Sequence, residues 1–178
     1  MVVDGDGDGD GRTLYRLDAW AARRARRTPT GAARLLLRSL AMPYELFEHT
    51  ADLGLRVRAP SLERLCAEGA RGLTSVLVVA PEAVLGRETR CLALANDDAA
   101  ELWREWLAEL AFLFAARGFV VASCSVAIRA GRLDAEVCGE SFDERRHGRA
   151  HEVKAVTYHA LRVVEDAEGW LGEAILDI

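Results

Sequence analysis

Lysine is nearly absent from this sequence of 178 residues. Of its 23 basic residues, 22 are arginine, and the only lysine is Lys154. A lone lysine among so many arginines indicates either a position that needs a compact ammonium group or the chance result of a biased composition. Long apolar segments are absent too. Because no run approaches the ~20 apolar residues of a membrane helix, we expect no membrane-spanning segment.

Cysteine pairs and catalytic signatures are also missing. The four cysteines form no C-x-x-C pair and lie among small or apolar residues; they are Cys66, Cys91, Cys124 and Cys138. We predict that they are buried reduced thiols, which favours a cytoplasmic location. The sequence contains no G-x-S-x-G, no glycine-rich phosphate loop and no H-E-x-x-H. These absences count against the enzyme classes that those motifs mark.

The charge is unevenly distributed along the chain. Residues 1–41 contain eight arginines and five aspartates, whereas residues 42–178 contain 15 basic and 23 acidic residues, a net charge of −8. Binding to a phosphate backbone depends on Lys and Arg, so we expect little direct binding of nucleic acid. An acidic domain is better suited to a cation or to a basic protein surface.

The first 41 residues differ from the rest. The tract "DGDGDGDG" resembles the start of a calcium-binding EF-hand loop, but the Glu required at the twelfth loop position is missing. The segment that follows is rich in arginine and lacks the apolar centre of a signal peptide. We predict that residues 1–41 are a disordered extension or a misassigned start, with Met42 as the alternative start. Residues 42–178 are predicted to form one domain.

Periodicity predicts strands and two long helices in that domain. "LGLRVRA" alternates as a half-buried strand, and Ser61 is placed to cap a helix that runs to about residue 78. After the strand "ETRCLALA", Asp98 and Glu101 form a capping box for a second helix that ends at Gly118. A hairpin turning at Gly131 and further strands follow. The pattern predicts a single two-layer α+β domain, with a mostly antiparallel or mixed sheet packed by two helices.

The final strand, "WLGEAILDI", ends with two neighbouring negative groups. Asp177 precedes the main-chain carboxylate of Ile178, and the strand alternation separates Asp177 from the apolar face. A hard cation with oxygen ligands would relieve their repulsion; the alternative is a solvated chain end. Asp52 of "EHTADLG" is a candidate third ligand, or else an Asp that stabilises a bend through the backbone.

His147 and His151 are a further histidine pair, four residues apart. A helix would direct both toward one metal ion, but Gly148 between them disfavours a helix. We therefore predict that the two histidines form a pair in a loop.

Several blocks together resemble one known family, the archeases. They occur in the expected order from Tyr44 to the last residue: "YELFEHTADLGLRVRAPSLERLCAEGARGL", "NDDAAELWREWLAEL", "HEVKAVTYHALRV" and "AILDI". The resemblance implies a small cytoplasmic α/β protein that acts on an RtcB-type RNA ligase in tRNA splicing. It would promote guanylylation and multiple turnover of the ligase, and would meet tRNA only through it.

The resemblance also implies site residues. The family's metal ligands correspond to Asp52, Asp177 and Ile178, with calcium as the expected ion and Mg²⁺ or Mn²⁺ as alternatives. The functional lysine of the family corresponds to Lys154, and His49 is the other residue expected to take part in activation. No catalytic residue is expected in a non-catalytic activator.

Two other function classes remain open. One is a chaperone or a modulator of tRNA-modifying enzymes, and a general chaperone would expose a large apolar patch. The other is a stand-alone metal-dependent hydrolase with His49 as general base, which would need an open metal position.

Overall fold

The computed structural model describes residues 43–49 and 52–178. The predictions for residues 1–41 and for a start at Met42 lie outside these residues. Within the described residues, eight strands, three α-helices and one 3₁₀ turn follow one another. They are β1 Tyr44–His49, β2 Asp52–Ala59, α1 Leu62–Leu77, the 3₁₀ turn Pro81–Ala83, β3 Glu88–Ala95, α2 Ala99–Arg117, β4 Phe119–Arg129, β5 Arg132–Ser141, α3 Glu144–His147, β6 Ala155–Val156, β7 Arg162–Asp166 and β8 Gly169–Asp177.

The strands form two antiparallel sheets. The larger one has the order β1-β2-β8-β6, with β7 also paired to β8, and the smaller one has the order β3-β5-β4. Helix α1 packs against β2 and β4, and α2 likewise contacts strands of both sheets. The predicted α+β class with two long helices is confirmed. The division into two sheets was not predicted, because periodicity identifies strands but does not identify their partners.

The ends of both long helices follow the capping residues. The Ser61 hydroxyl accepts a hydrogen bond from the Arg64 N–H at 3.2 Å, and Asp98 accepts from the N–H groups of Ala100 and Glu101 at 2.8 and 2.9 Å. Gly118 ends α2 in the left-handed conformation, with φ 59°. Of the described helices, none has the length and apolarity of a membrane-spanning segment.

The core lies around α2 and includes the fully buried Trp103 and Trp106. The Trp106 indole N–H donates to the Cys66 carbonyl at 2.8 Å, so the two long helices are joined by a buried hydrogen bond. All four cysteines are free, and burial raises the pKa of the Cys66 and Cys124 thiols, that of Cys124 to about 12. The prediction of reduced thiols agrees with this, although only Cys66 is fully buried.

A buried carboxylate joins β5 to the loop after α1. Glu140 is 4% exposed and accepts two hydrogen bonds from the Arg146 guanidinium, at 2.8 and 2.9 Å. It also accepts from the Leu85 N–H at 2.6 Å, and the Arg87 guanidinium lies 3.3 Å away. Hydrogen bonding to Arg146, followed by the Leu85 N–H and the charges of both arginines, lowers the pKa of Glu140 from 4.5 to about 2.

The loop-pair prediction for His147 and His151 is wrong for His147. Asp143 caps the one-turn helix α3, His147 ends it, and Gly148 follows as the C-cap. His147 is 1% exposed, and its Nδ1 accepts from the Asp143 N–H at 3.0 Å. Its Nε2 therefore carries the proton and faces Glu140 at 3.3 Å. His147 belongs to the Glu140 network, while His151 is exposed.

Glu140→Gln is expected to lower stability at neutral pH and to change its pH dependence. A carboxyl with a depressed folded-state pKa contributes stability above its ordinary pKa of 4.5, and this is lost as pH falls toward about 2. Chemical denaturation between pH 7 and pH 2 measures this. The wild type should lose stability over that range more steeply than the variant, and parallel curves would show that Glu140 is not the responsible group.

Gly139→Ala is expected to destabilise the fold by about 1–3 kcal/mol, the usual cost of overpacking. A Cβ atom at Gly139 would collide with the Val120 carbonyl oxygen and the Phe119 ring. Gly86→Ala is the matched control, because its Cβ would meet only the Cys138 Cβ at 3.4 Å, an ordinary contact. Urea denaturation of the two variants compares them, and equal midpoints would contradict the steric argument.

Candidate functional site at one end of the larger sheet

The register of the larger sheet brings the predicted residues to one end. β2 begins at Asp52 and β8 ends at Asp177. The last pair of their register is Leu53 with Leu176, so the next position sets Asp52 opposite Asp177. On the outer strands, His49 pairs with Asp52 and Ala155 pairs with Asp177. The two carboxylates and His49 therefore occupy one row on the same face of the sheet.

Lys154 supplies a positive charge at this end. Its main-chain N–H donates to the Asp177 carbonyl at 2.8 Å, which continues the pairing of β6 with β8. Its Nζ donates to the main-chain oxygen of Ile178 at 2.9 Å and lies 3.8 Å from Asp177 Oδ1. The Lys154 and Asp177 side chains are 61% and 46% exposed, so this ion pair contributes at most about 1 kcal/mol to stability. The main effect of this ion pair is to hold the Lys154 ammonium beside Asp177 and Ile178.

His49 lies beside the carboxylates with an unsatisfied nitrogen. Its Nδ1 is buried and has no hydrogen-bond partner among the described residues. The His159 ring, from the loop between β6 and β7, lies 5.1 Å away between ring centroids. Thr157 Oγ1 is also buried without a partner within the same part of the chain. Unpaired buried polar atoms are rare and are concentrated where a ligand, an ion or water binds.

The donor atoms at this end suit a hard cation. Asp52 and Asp177 contribute carboxylate oxygens and Ile178 contributes main-chain oxygen, the ligand type of Ca²⁺, Mg²⁺ and Mn²⁺. Within the described residues, no group of three or more His, Cys, Asp or Glu side chains has the arrangement of a metal site. A set with only two carboxylate side chains would need the main-chain oxygen as its third protein ligand. With the Ile178 oxygen included, Asp52, Asp177 and Ile178 fit a site for a hard cation. The Lys154 ammonium would compete with that cation for the oxygens of Asp177 and Ile178.

The structure adds an aromatic residue that sequence reasoning missed. Tyr158 is 65% exposed, and the Arg104 guanidinium carbon lies 4.3 Å from its ring centroid. Arg104 also donates to Glu101 at 3.2 Å, which holds the guanidinium in place. Arg104 and Tyr158 are on different elements, so no local pattern pairs them. Only the position of Tyr158, four residues after Lys154, indicated proximity to the site.

Comparison with known proteins gives one consistent result. The model of the archease protein family matches residues 44–178. The archease of Thermococcus gammatolerans is 34% identical over 140 residues, which cover 76% of this chain and 98% of that relative. The archease of Methanopyrus kandleri is 33% identical over 141 residues, which cover 77% of this chain and all of that relative.

Solved structures agree with the fold. The solution structure of protein 1598 from Methanobacterium thermoautotrophicum superposes with a TM-score of 0.65 at 25% identity, covering 78% of this chain and all of that one. The crystal structure of an archease from Thermotoga maritima, described as a possible chaperone, gives a TM-score of 0.53 at 18% identity, covering 74% of this chain and 94% of that one. At that lower identity the likeness concerns the fold alone. The family match contains every residue of the candidate site.

Proposed function

This chain belongs to the archease family, and we propose that it is a non-catalytic activator of an RtcB-type RNA ligase in tRNA splicing. It would act in the cytoplasm by promoting guanylylation of the ligase, and so allow multiple turnover. The observation that carries the proposal is the position of Lys154. The only lysine of the chain lies against Asp177 and Ile178, at the end of the sheet where His49 and Asp52 also lie.

A divalent cation is part of the proposal, with calcium preferred over Mg²⁺ or Mn²⁺. Asp52, Asp177 and the main-chain oxygen of Ile178 would hold it. When bound, the ion would neutralise the carboxylates and order this end of the sheet. The chain's own residues supply the geometry, because β2, β8 and β6 are hydrogen-bonded neighbours.

Lys154 is proposed to act on the partner. Its side chain is 61% exposed and its main-chain N–H is bonded to β8, so the charge is presented at the surface at a defined place. A phosphate of the ligase's nucleotide or a carboxylate of the ligase are groups of the right sign. The acidic domain would be attracted to a basic ligase surface, and tRNA would be met through the ligase.

Two alternatives predict different behaviour. A chaperone or modulator of tRNA-modifying enzymes would bind several unrelated partners, and the Thermotoga maritima archease is described as a possible chaperone. A hydrolase would use His49 as a base, and the observation in its favour is the buried Nδ1 of His49, which has no partner among residues 43–49 and 52–178. Phosphohydrolase activity of the isolated protein would support the hydrolase. Ligase turnover assays with and without this protein test the main proposal.

Lys154→Arg is expected to reduce ligase activation by about tenfold, although the charge is kept. A planar guanidinium differs in shape and in hydrogen-bonding directions from the compact ammonium that reaches Ile178 and Asp177 together. The measurement is ligase guanylylation with GTP under multiple-turnover conditions. Arg129→Lys, the reverse exchange at an exposed position of β4, is the matched control and should activate normally. Full activation by Lys154→Arg would remove the argument from the lone lysine.

Asp52→Asn and Asp177→Asn are each expected to weaken Ca²⁺ and Mn²⁺ binding by about tenfold or more, because the affinity of oxygen-ligand sites depends on ligand charge. Lys154→Gln should instead tighten binding, since it removes a positive charge close to the same oxygens. Calorimetric titration of the isolated protein measures both effects. Glu165→Gln, an exposed carboxylate on β7, serves as control. Unchanged affinity in both Asp variants would exclude this ligand set.

A further inference from the structure

Helix α2 has one face that the rest of the described protein covers only in part. Both sheets and α1 bury the opposite face, as the buried residues of the helix show. The half-buried and exposed positions recur every three or four residues along the helix and form a stripe. From the N-terminal end they are Glu101, Arg104, Glu105, Ala108, Glu109, Phe112, Ala115 and Ala116.

Two exposed aromatic side chains lie along this stripe. Phe112 is 52% exposed, and Tyr158, stacked on Arg104, is 65% exposed. They are two of the five exposed large hydrophobic residues in the described part of the chain. Arg104 and Phe112 are eight residues apart, which corresponds to roughly 12 Å along a helix. Aromatic residues are enriched at the surfaces by which proteins bind a partner.

The residues between the two rings are small. Ala108 lies one helical turn from both Arg104 and Phe112, and Ala115 and Ala116 follow Phe112. Small side chains between the two exposed rings let another backbone approach closely. The interval from Arg104 to Phe112 corresponds to about two turns of a helix.

The charges along the stripe determine the kind of partner. Glu101, Glu105 and Glu109 line it, and the domain from residue 42 onward has a net charge of −8. Arg104, whose side chain is 17% exposed, is already paired with Glu101 and stacked on Tyr158. Glu105 accepts a hydrogen bond from the neutral Asn96 amide at 3.2 Å, a bond that does not compensate its charge. A phosphate backbone would be repelled here, so the aromatic rings do not form a nucleic-acid platform. A segment with an apolar stripe flanked by Lys or Arg is complementary in both shape and charge.

We infer that the face formed by Phe112, Ala108, Arg104 and Tyr158, the α2 face, binds a basic amphipathic helix of a partner protein. Apolar side chains of that helix pack between the two rings, and its basic side chains are attracted by the negative charge of the α2 glutamates. The partner is the ligase; this identity rests on the proposed function, whereas the chemistry of the occupant rests on the α2 face alone.

The first experiment needs no ligase. A fluorescent 18-residue peptide with leucines at helical spacing and arginines on both flanks is titrated into the full chain, and anisotropy is measured. A scrambled peptide of identical composition controls for net charge. The patterned peptide should bind more tightly than the scrambled one, and binding should weaken as salt is raised. Equal binding of the two peptides would overturn the inference.

Three variants locate the binding site. Phe112→Ser and Tyr158→Ser should each weaken binding of the patterned peptide by about tenfold, as expected for central aromatic contacts. Val79→Ser removes an equally exposed apolar side chain, 69% exposed and outside the α2 face, and should have no effect. All three positions are at the surface, so folding should be retained and is verified by circular dichroism. Wild-type affinity in both aromatic variants would overturn the inference.

A second experiment identifies the carrier of the segment. If wild-type protein activates an RtcB-type ligase, Phe112→Ser should raise the concentration needed for half-maximal activation by about tenfold, with Val79→Ser unchanged. An unchanged requirement would show that the ligase is not the partner at the α2 face. Failure of the wild type to activate would reject the proposed function, while the peptide result still decides what the face binds. A chain that starts at Met42 is compared with the full chain in the same titration. Tighter peptide binding by the shorter chain would assign the α2 face to residues 1–41 and count against an external partner. Self-association of the wild type would assign it to a second copy of this chain, with the same consequence.

Discussion

The pairing of β2 with β8 is the interaction on which both the core and the candidate site depend. Its register sets Leu53 and Leu55 opposite Leu176 and Ala174 on the face that packs against the helices. Because side chains alternate along a strand, the same register sets Asp52 opposite Asp177 on the other face. A slip by one residue would expose the leucines and turn the carboxylate inward. Burial of the apolar side chains therefore determines where the acidic ones lie.

Lys154 is the positive partner of the acidic end of β8. The Asp177 carboxylate needs a positive partner or full solvation, and Lys154 Nζ lies 3.8 Å from its Oδ1 while donating to the main-chain oxygen of Ile178. The main-chain hydrogen bond from Lys154 to Asp177 places the aliphatic part of the Lys154 side chain beside β8, so the ammonium needs only a short reach. An arginine there would carry the same charge on a longer, planar group. In a chain with 22 arginines, the single exception occurs where the distances are short.

The features predicted correctly from the sequence are those that neighbouring residues determine, namely helix ends and turns. Helix starts at Ser61 and Asp98, the stop at Gly118 and the turn at Gly131 depend on neighbouring residues, and all are found in the structure. Contacts between distant segments were not predictable in the same way. Gly148 favoured a loop at His147, and nothing local signals the contact of His147 with Glu140, which lies on another element. Family resemblance indicated Asp177 and Lys154 separately as functional residues, and their contact was not predicted.

At the end of the larger sheet, the negative charges of the carboxylates outnumber the positive charge of Lys154. Asp52 and Asp177 carry two negative charges against the single positive charge of Lys154, so a net attraction for cations remains. Residues 154–158 connect this end to the α2 face, since Lys154 and Thr157 donate main-chain hydrogen bonds to Asp177 and Ile175. Tyr158 follows directly, stacked on Arg104 of α2. A partner held at the α2 face would therefore meet Lys154 at a distance fixed by β6 and β8, and the fold itself would set the alignment of the two surfaces.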